Sequence, residues 1–237
     1  MNTLTPQIPT EQKLAPWYPP KTVLAIVAGM FLFSIAIYNK LPDMVPTHWG
    51  LSGEADAFSP KAFGAFFAPV LGLAIAILFP VLQRMDPKRE SYANFQSTWV
   101  RFQIGIISFF AYIHVITVLA GLSPWMSSHV AMFITSGMGV LFILLGNSMG
   151  KIEQNWFVGV RTPWALSDPE IWRKSQRLGG LLFVLGGIAI LIVSLAIQSS
   201  IALFVTFITI ILTICIVPTV YSYMLAKKKS KEPSANN

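Results

Sequence analysis

Four stretches of the chain carry no Asp, Glu, Lys or Arg: 22–39, 62–83, 102–150 and 178–226. Within them apolar residues follow one another with little interruption, and runs such as 188–197 lack the polar–apolar alternation of a membrane strand lining a wet interior. Helices are therefore predicted. A helix rising 1.5 Å per residue needs about 20 apolar residues to cross a hydrocarbon core of about 30 Å. The first two stretches fit one crossing each. The other two are 49 residues long and fit two each, divided at Gly121-Leu122-Ser123-Pro124 and at Gln198-Ser199-Ser200, where turn formers and polar residues allow a reversal. Six spans follow, at 22–39, 62–82, 102–122, 126–148, 179–197 and 201–225.

Composition agrees with a bilayer as the solvent. Only 11% of the 237 residues are charged, 54% are hydrophobic, and the mean hydropathy is +0.62. A disordered chain, a collagen-like repeat and a disulfide-rich secreted scaffold are excluded together. Cys215 is the single cysteine and lies inside the last span, so no internal disulfide can form.

Charge placement predicts orientation. Fifteen of the 17 Lys and Arg fall in the N-terminal tail, the 83–101 and 149–178 loops and the C-terminal tail, whereas the other side holds Lys40 and Lys61. Basic residues near span ends stay in the cytosol, which puts both termini there. The organisation predicted is a cytoplasmic tail at 1–21, three spans within 22–122 and three within 123–226. The extracytoplasmic loop is 40–61, the cytoplasmic loops are 83–101 and 149–178, and a basic cytoplasmic tail occupies 227–237. Tyr18, Trp125, Trp156, Trp164, Trp172 and Tyr223 fall near the expected interfaces. The polar, proline-rich segment ahead of the first span reads as the flank of an uncleaved anchor. A net charge of +7 follows from the positive-inside bias, so direct nucleic-acid binding is not implied. Membrane lipids are expected partners, with Lys227, Lys228, Lys229 and Lys231 facing anionic headgroups.

Two loops carry chemistry. In the outer one Pro42, Pro46, Gly50, Gly53 and Pro60 punctuate a segment that can fold as a compact lid. His48 with Asp43, Glu54 and Asp56 leaves three readings open: a weak metal site on His48, Glu54 and Asp56, a partner-contacting or pH-sensing His48, or a hydrogen-bonded structural lid. In the inner loop, Ser167 or Asp168 can cap a helix beginning at Pro169, with Glu170 in its first turn. Ile171, Trp172, Ser175 and Leu178 would then lie in the headgroup layer while Arg173, Lys174 and Arg177 stay wet, as in an interfacial helix. Asn155, Gly159, Arg161, Pro163 and Trp164 are expected to form a tight turn presenting a guanidinium beside indoles. That guanidinium could equally bind a lipid phosphate or cap carbonyls at a span end.

These loops resemble those of the SdpI-type bacterial immunity membrane proteins. The inner match runs through Gly150-Lys151, the segment from Asn155-Trp156 to Gly159-Val160-Arg161-Thr162-Pro163-Trp164, Trp172-Arg173-Lys174 and Arg177-Leu178-Gly179-Gly180. The outer stretch Leu41-Pro42-Asp43, Val45-Pro46-Thr47-His48-Trp49 and Gly53-Glu54 is similar to a small module often found at the front of those proteins. Gln176 departs from the pattern, because relatives often carry His there. The resemblance implies a multi-pass protein of the bacterial inner (cytoplasmic) membrane that protects its host from a secreted antimicrobial peptide toxin. It also implies signalling of toxin to a cytosolic transcriptional repressor. On this reading Asp43, His48, Trp49, Glu54 and Asp56 face the toxin or partner outside. Asn155, Gly159, Arg161, Thr162, Pro163, Trp164, Trp172 and Arg177 form the inner signature.

The alternative is a small transporter or channel for an ion or solute. The spans hold no full charge, and their titratable candidates at depth are His114 and His129, of which His114 could relay protons or simply bond a neighbouring Ser or carbonyl. No paired carboxylates, Ser-His dyad or metal motif emerges within the spans, so no enzyme and no cofactor is expected.

Overall fold

The computed structural model describes residues 18–50, 53–197 and 199–231. The outer parts of both predicted tails, 1–17 and 232–237, lie outside the described residues. Helix α1 is Lys21–Ile37, continued by a 3-10 turn at Tyr38–Lys40. Strands β1 (Met44–Trp49) and β2 (Ala55–Pro60) follow, then α2 (Lys61–Met85), α3 (Tyr92–Ala120) and α4 (Pro124–Met149). The short α5 (Pro163–Ser167), α6 (Pro169–Ala196) and α7 (Ser200–Lys229) complete the chain. Among the described residues six helices, all but α5, are long and apolar enough to cross a membrane. The molecule is an all-α polytopic bundle, with one small hairpin added outside it.

Local chemistry sets the helix starts. Ser123, Thr162, Asp168 and Ser199 each accept a backbone N–H of the first turn that follows, and Pro124, Pro163 and Pro169 occupy first helical positions, where a missing N–H costs nothing. Two helices begin earlier than the uncharged stretches suggest. α3 opens at Tyr92 and bends at Phe95, whose φ/ψ of −129°/23° is not helical. Tyr92, Phe95, Trp99 and Phe102 recur at helical spacing and are buried, so the helix continues past Arg101, which reaches back to Ser97. α6 likewise runs unbroken from Pro169 into the span. Ile171, Trp172 and Ser175 are buried against the protein and Leu178 is half-buried, so the face expected to lie in the headgroup layer packs inward instead.

α1 packs on α2 and α3, and α3, α4, α6 and α7 then follow one another side by side. The seam between antiparallel α4 and α6 is the closest. A Cβ built on Gly139 would come 2.8 Å from the Gly187 carbonyl oxygen, and one on Gly146 would come 2.6 Å from that of Gly180. Gly139 and Gly146, like Gly180 and Gly187, are one heptad apart, the spacing that keeps one seam in register along two helices. Exposed Leu32, Ile192, Leu195 and Ile201 face outward, as expected of surfaces solvated by lipid.

The loop between α1 and α2 is not purely irregular. β1 and β2 pair antiparallel, from Met44 opposite Pro60 to Trp49 opposite Ala55, with register shifts around His48. Gly53 has φ +83°, which suits the tight return between the strands. Val45 plugs the hairpin into the bundle, packing in one cluster with Leu41, Ala65 and Val118.

Candidate functional site

At the hairpin the side chains are engaged with one another. His48 Nδ1 lies 2.5 Å from Asp56 Oδ1, Lys61 Nζ donates to Asp43 Oδ1 at 3.0 Å, and Trp49 Nε1 donates to Ser127 Oγ at 3.4 Å, tying the hairpin to α4. The Glu54 carbonyl accepts the Gly50 N–H. Among the described residues no group of three or more His, Cys, Asp or Glu side chains could hold a metal ion. His48 and Asp56 instead form an exposed pair that faces outward. Met44, Phe58 and Trp125 are exposed at the same end of the molecule.

At the opposite end, the loop between α4 and α6 is built as a rigid shelf. Asn155 is fully buried: its Oδ1 accepts the Phe157 and Val158 N–H groups, and its Nδ2 donates to the Glu153 and Val158 carbonyls. Four bonds exhaust the capacity of the amide and fix the turn. Gly159 follows with φ +107°, and a Cβ there would collide with the Gln176 amide. Gln176, buried in α6, grips the next residue by both backbone groups, accepting from Val160 N at 3.1 Å and donating to Val160 O at 3.2 Å. The clamp is a neutral amide that bonds both backbone groups of Val160. Trp172 Nε1 donates to Ile152 O at 2.7 Å, which anchors the loop's start.

Thr162 closes the loop. The Ala165 N–H donates to its Oγ1, which lies 2.8 Å from Ser222 Oγ, and Ser222 donates onward to the Thr219 carbonyl. Each hydroxyl has one proton, so Thr162 must be the donor to Ser222, and the loop is thereby bonded to α7. Pro163 starts α5, and Trp164 packs against Tyr223 of α7 with ring centroids 5.1 Å apart. Asp168, the cap of α6, also pairs with Lys229 Nζ at 2.6 Å. The Lys229 hydrogen bond, helped by the N–H groups of Ile171 and Glu170, holds the Asp168 carboxyl below its ordinary value.

Of the inner signature residues, Asn155, Gly159, Thr162, Pro163, Trp164 and Trp172 are therefore engaged in building the shelf. Arg161 and Arg177 remain exposed. Arg161 Nη1 caps the Trp156 carbonyl at 2.6 Å, one of the two roles open to it from the sequence, and among the described residues the rest of its fork has no hydrogen-bond or ion-pair partner.

A residue that the sequence does not single out holds this end together. Asp86 is 2% exposed, although it sits within a run of charged residues. Its Oδ2 accepts from Tyr92 Oη at 2.8 Å and from Trp156 N at 2.9 Å, and its Oδ1 accepts from Lys88 N at 2.7 Å. The carboxylate thus joins the end of α2, the start of α3 and the loop between α4 and α6. Its neighbours Arg84, Lys88, Arg89 and Glu90 give no hint that this one charge turns inward.

His114 is fully buried in α3, with Nε2 2.9 Å from Ser34 Oγ of α1. A Ser-His pair therefore does exist within the spans, across helices, where a search along single helices does not find it. Ser34 also contacts the Met30 and Ala65 carbonyls, so its single proton goes to a carbonyl and His114 donates from Nε2. Both side chains are fully buried, and the pair ties α1 to α3. His129 stacks on Trp125 near the start of α4 and bonds its carbonyl.

Residues 151–222 match the SdpI/YfhL protein family, and residues 25–73 match a domain of unknown function, DUF1648. The chain is 28% identical over 205 residues to Immunity protein SdpI of Bacillus subtilis, covering 86% of this chain and 94% of that protein. It is also 29% identical over 72 residues to an uncharacterized protein of Archaeoglobus fulgidus, covering 30% of this chain and 39% of that one. No solved structure matches.

Proposed function

Starting from a multi-pass membrane protein that carries an SdpI/YfhL segment behind a DUF1648 segment, we propose that it is an immunity protein, protecting a bacterium against a secreted antimicrobial peptide. The observation that carries this reading is the extent of the likeness to Immunity protein SdpI, which takes in most of both chains and both loops. The hairpin is the proposed contact for the peptide. There Asp43, His48, Trp49, Glu54 and Asp56 stand beside exposed Met44, Phe58 and Trp125, an apolar surface edged by carboxylates that suits a cationic amphipathic peptide. The inner shelf, which presents Arg161 and Arg177, is the proposed contact for a cytosolic repressor. The orientation assigned to both follows from the basic residues of the inner loops.

Expression in a bacterium killed by the cognate peptide tests the reading. The intact protein is expected to restore growth. Replacing Asp43 and Asp56 together by Lys is expected to abolish protection while the protein still reaches the membrane. Unchanged killing in the presence of the intact, membrane-inserted protein would overturn the proposal.

A further inference from the structure

A cavity of ≈ 540 Å³ lies where the inner-shelf ends of α2, α3, α4, α6 and α7 meet the loop. Phe79 and Phe102 line it from α2 and α3, Phe183 from α6, and Cys215 and Thr219 from α7. α7 packs along α6 and touches α4 and α5, so the space between α7 and the α2–α3 pair is left to this cavity. Cys215 and Thr219 are exposed, which opens the α7 side toward the surroundings of the bundle. For a membrane-spanning helix those surroundings are hydrocarbon.

The lining is apolar apart from Thr219 and one end, where Gly159, Val160, Arg161 and Thr162 supply backbone and the single charge. No carboxylate lines the cavity. Its volume lies within the range of about 300 to 1,000 Å³ in which small-molecule sites fall. An occupant must therefore be apolar along most of its length, anionic at one end, and able to enter from the bilayer. A guanidinium with most of its planar fork free is a good match for phosphate. We infer that this cavity takes one acyl chain of a bilayer phospholipid, with the lipid phosphate held on Arg161. The lipid then stands between α7 and the α2–α3 pair as a packing element, and it links the state of the inner leaflet to the loop. This inference is independent of the immunity reading.

Cys215 is the only thiol in the chain and lines the cavity, so it reports occupancy. The full chain, purified in a phosphate-free detergent, would be alkylated with a small maleimide in the presence of phosphatidylglycerol, of diacylglycerol with the same chains, or of inorganic phosphate. Phosphatidylglycerol is expected to slow alkylation about tenfold, the factor one charge-assisted hydrogen bond supplies. Diacylglycerol and phosphate alone are expected to do much less, and Arg161→Gln to cancel the excess protection. Arg161→Lys should recover part of it, which separates loss of charge from loss of fold. Thr219→Phe, on the exposed face of α7, is expected to fill the entrance, so that native mass spectra lose the retained phospholipid that the parent protein shows. Equal protection by diacylglycerol, protection by phosphate alone, or no protection by phosphatidylglycerol would each overturn the inference.

Discussion

Asp86 is the buried carboxylate on which three segments converge, and its removal has a calculable direction. Asp86→Ala would leave the Trp156 N–H and the Tyr92 hydroxyl without their acceptor, so unfolding in mixed micelles should become easier by about 3 kcal/mol. Asp86→Asn keeps one acceptor oxygen and should cost less. Asp168 gives a pH dependence instead. Its carboxyl is held below 3.8 by Lys229, so the stability it contributes is present above that value and is lost as pH falls through the lower folded-state value. A Tm profile taken down to about pH 2 should show this loss, and Asp168→Asn should flatten that part of it. The two aspartates differ in legibility. Asp168 precedes a proline and an acidic first turn, a pattern with a mechanism visible in the chain. Asp86 shares its neighbourhood with four other charges, and burial depends on where Trp156 and Tyr92 arrive, which sequence spacing does not state.

At the scale of helices, the α4–α6 seam depends on four glycines. Leu at Gly146 or Gly180 would force the two backbones apart, because a Cβ at either position already comes 2.6 Å from a carbonyl oxygen of the facing helix. Either substitution is expected to lower the Tm steeply and to free the Gln176 clamp on Val160, which proteolysis of the inner loop would detect. Gly29→Ala is the control: nothing lies within 4 Å of a Cβ there, and the better helix former should leave stability unchanged or slightly raised. All five glycines look alike in the sequence. What separates them is the helix that faces each, and pairing between antiparallel helices sets that. The early starts of α3 and α6 teach a related lesson. Charge-free stretches mark lipid, whereas the 92, 95, 99, 102 aromatic spacing marks protein-facing helix beyond it, and the two need not end together.

Taken whole, the molecule places a proline-rich hairpin at one end and an arginine-bearing shelf at the other, with little polar material between. The proposed orientation is testable in intact cells carrying Cys215→Ser. A cysteine introduced at Ala55 should react with a membrane-impermeant maleimide from outside, and one at Ser230 should react after permeabilisation only. The reverse pattern would exchange the roles proposed for the two loops. The hairpin also shows how far a loop can be read in advance. Its prolines and glycines predict an ordered lid, but strand pairing and the insertion of Val45 beside Leu41, Ala65 and Val118 come from the helix ends beneath it.

The number of crossings and their helical form were determined by the sequence alone, because crossing lipid is a one-dimensional demand: about 20 consecutive residues without charge, with every backbone group bonded internally. The helix caps were equally local, since a capping side chain reaches only two or three residues ahead. The tertiary structure decided everything that joins distant residues. It buried Asp86 under Trp156, set Ser34 against His114, clamped Val160 with Gln176, and left Arg161 at the end of an apolar cavity. These contacts depend on which faces of separate helices meet, and in a bundle that is settled by close packing of shapes, not by any pattern along the chain.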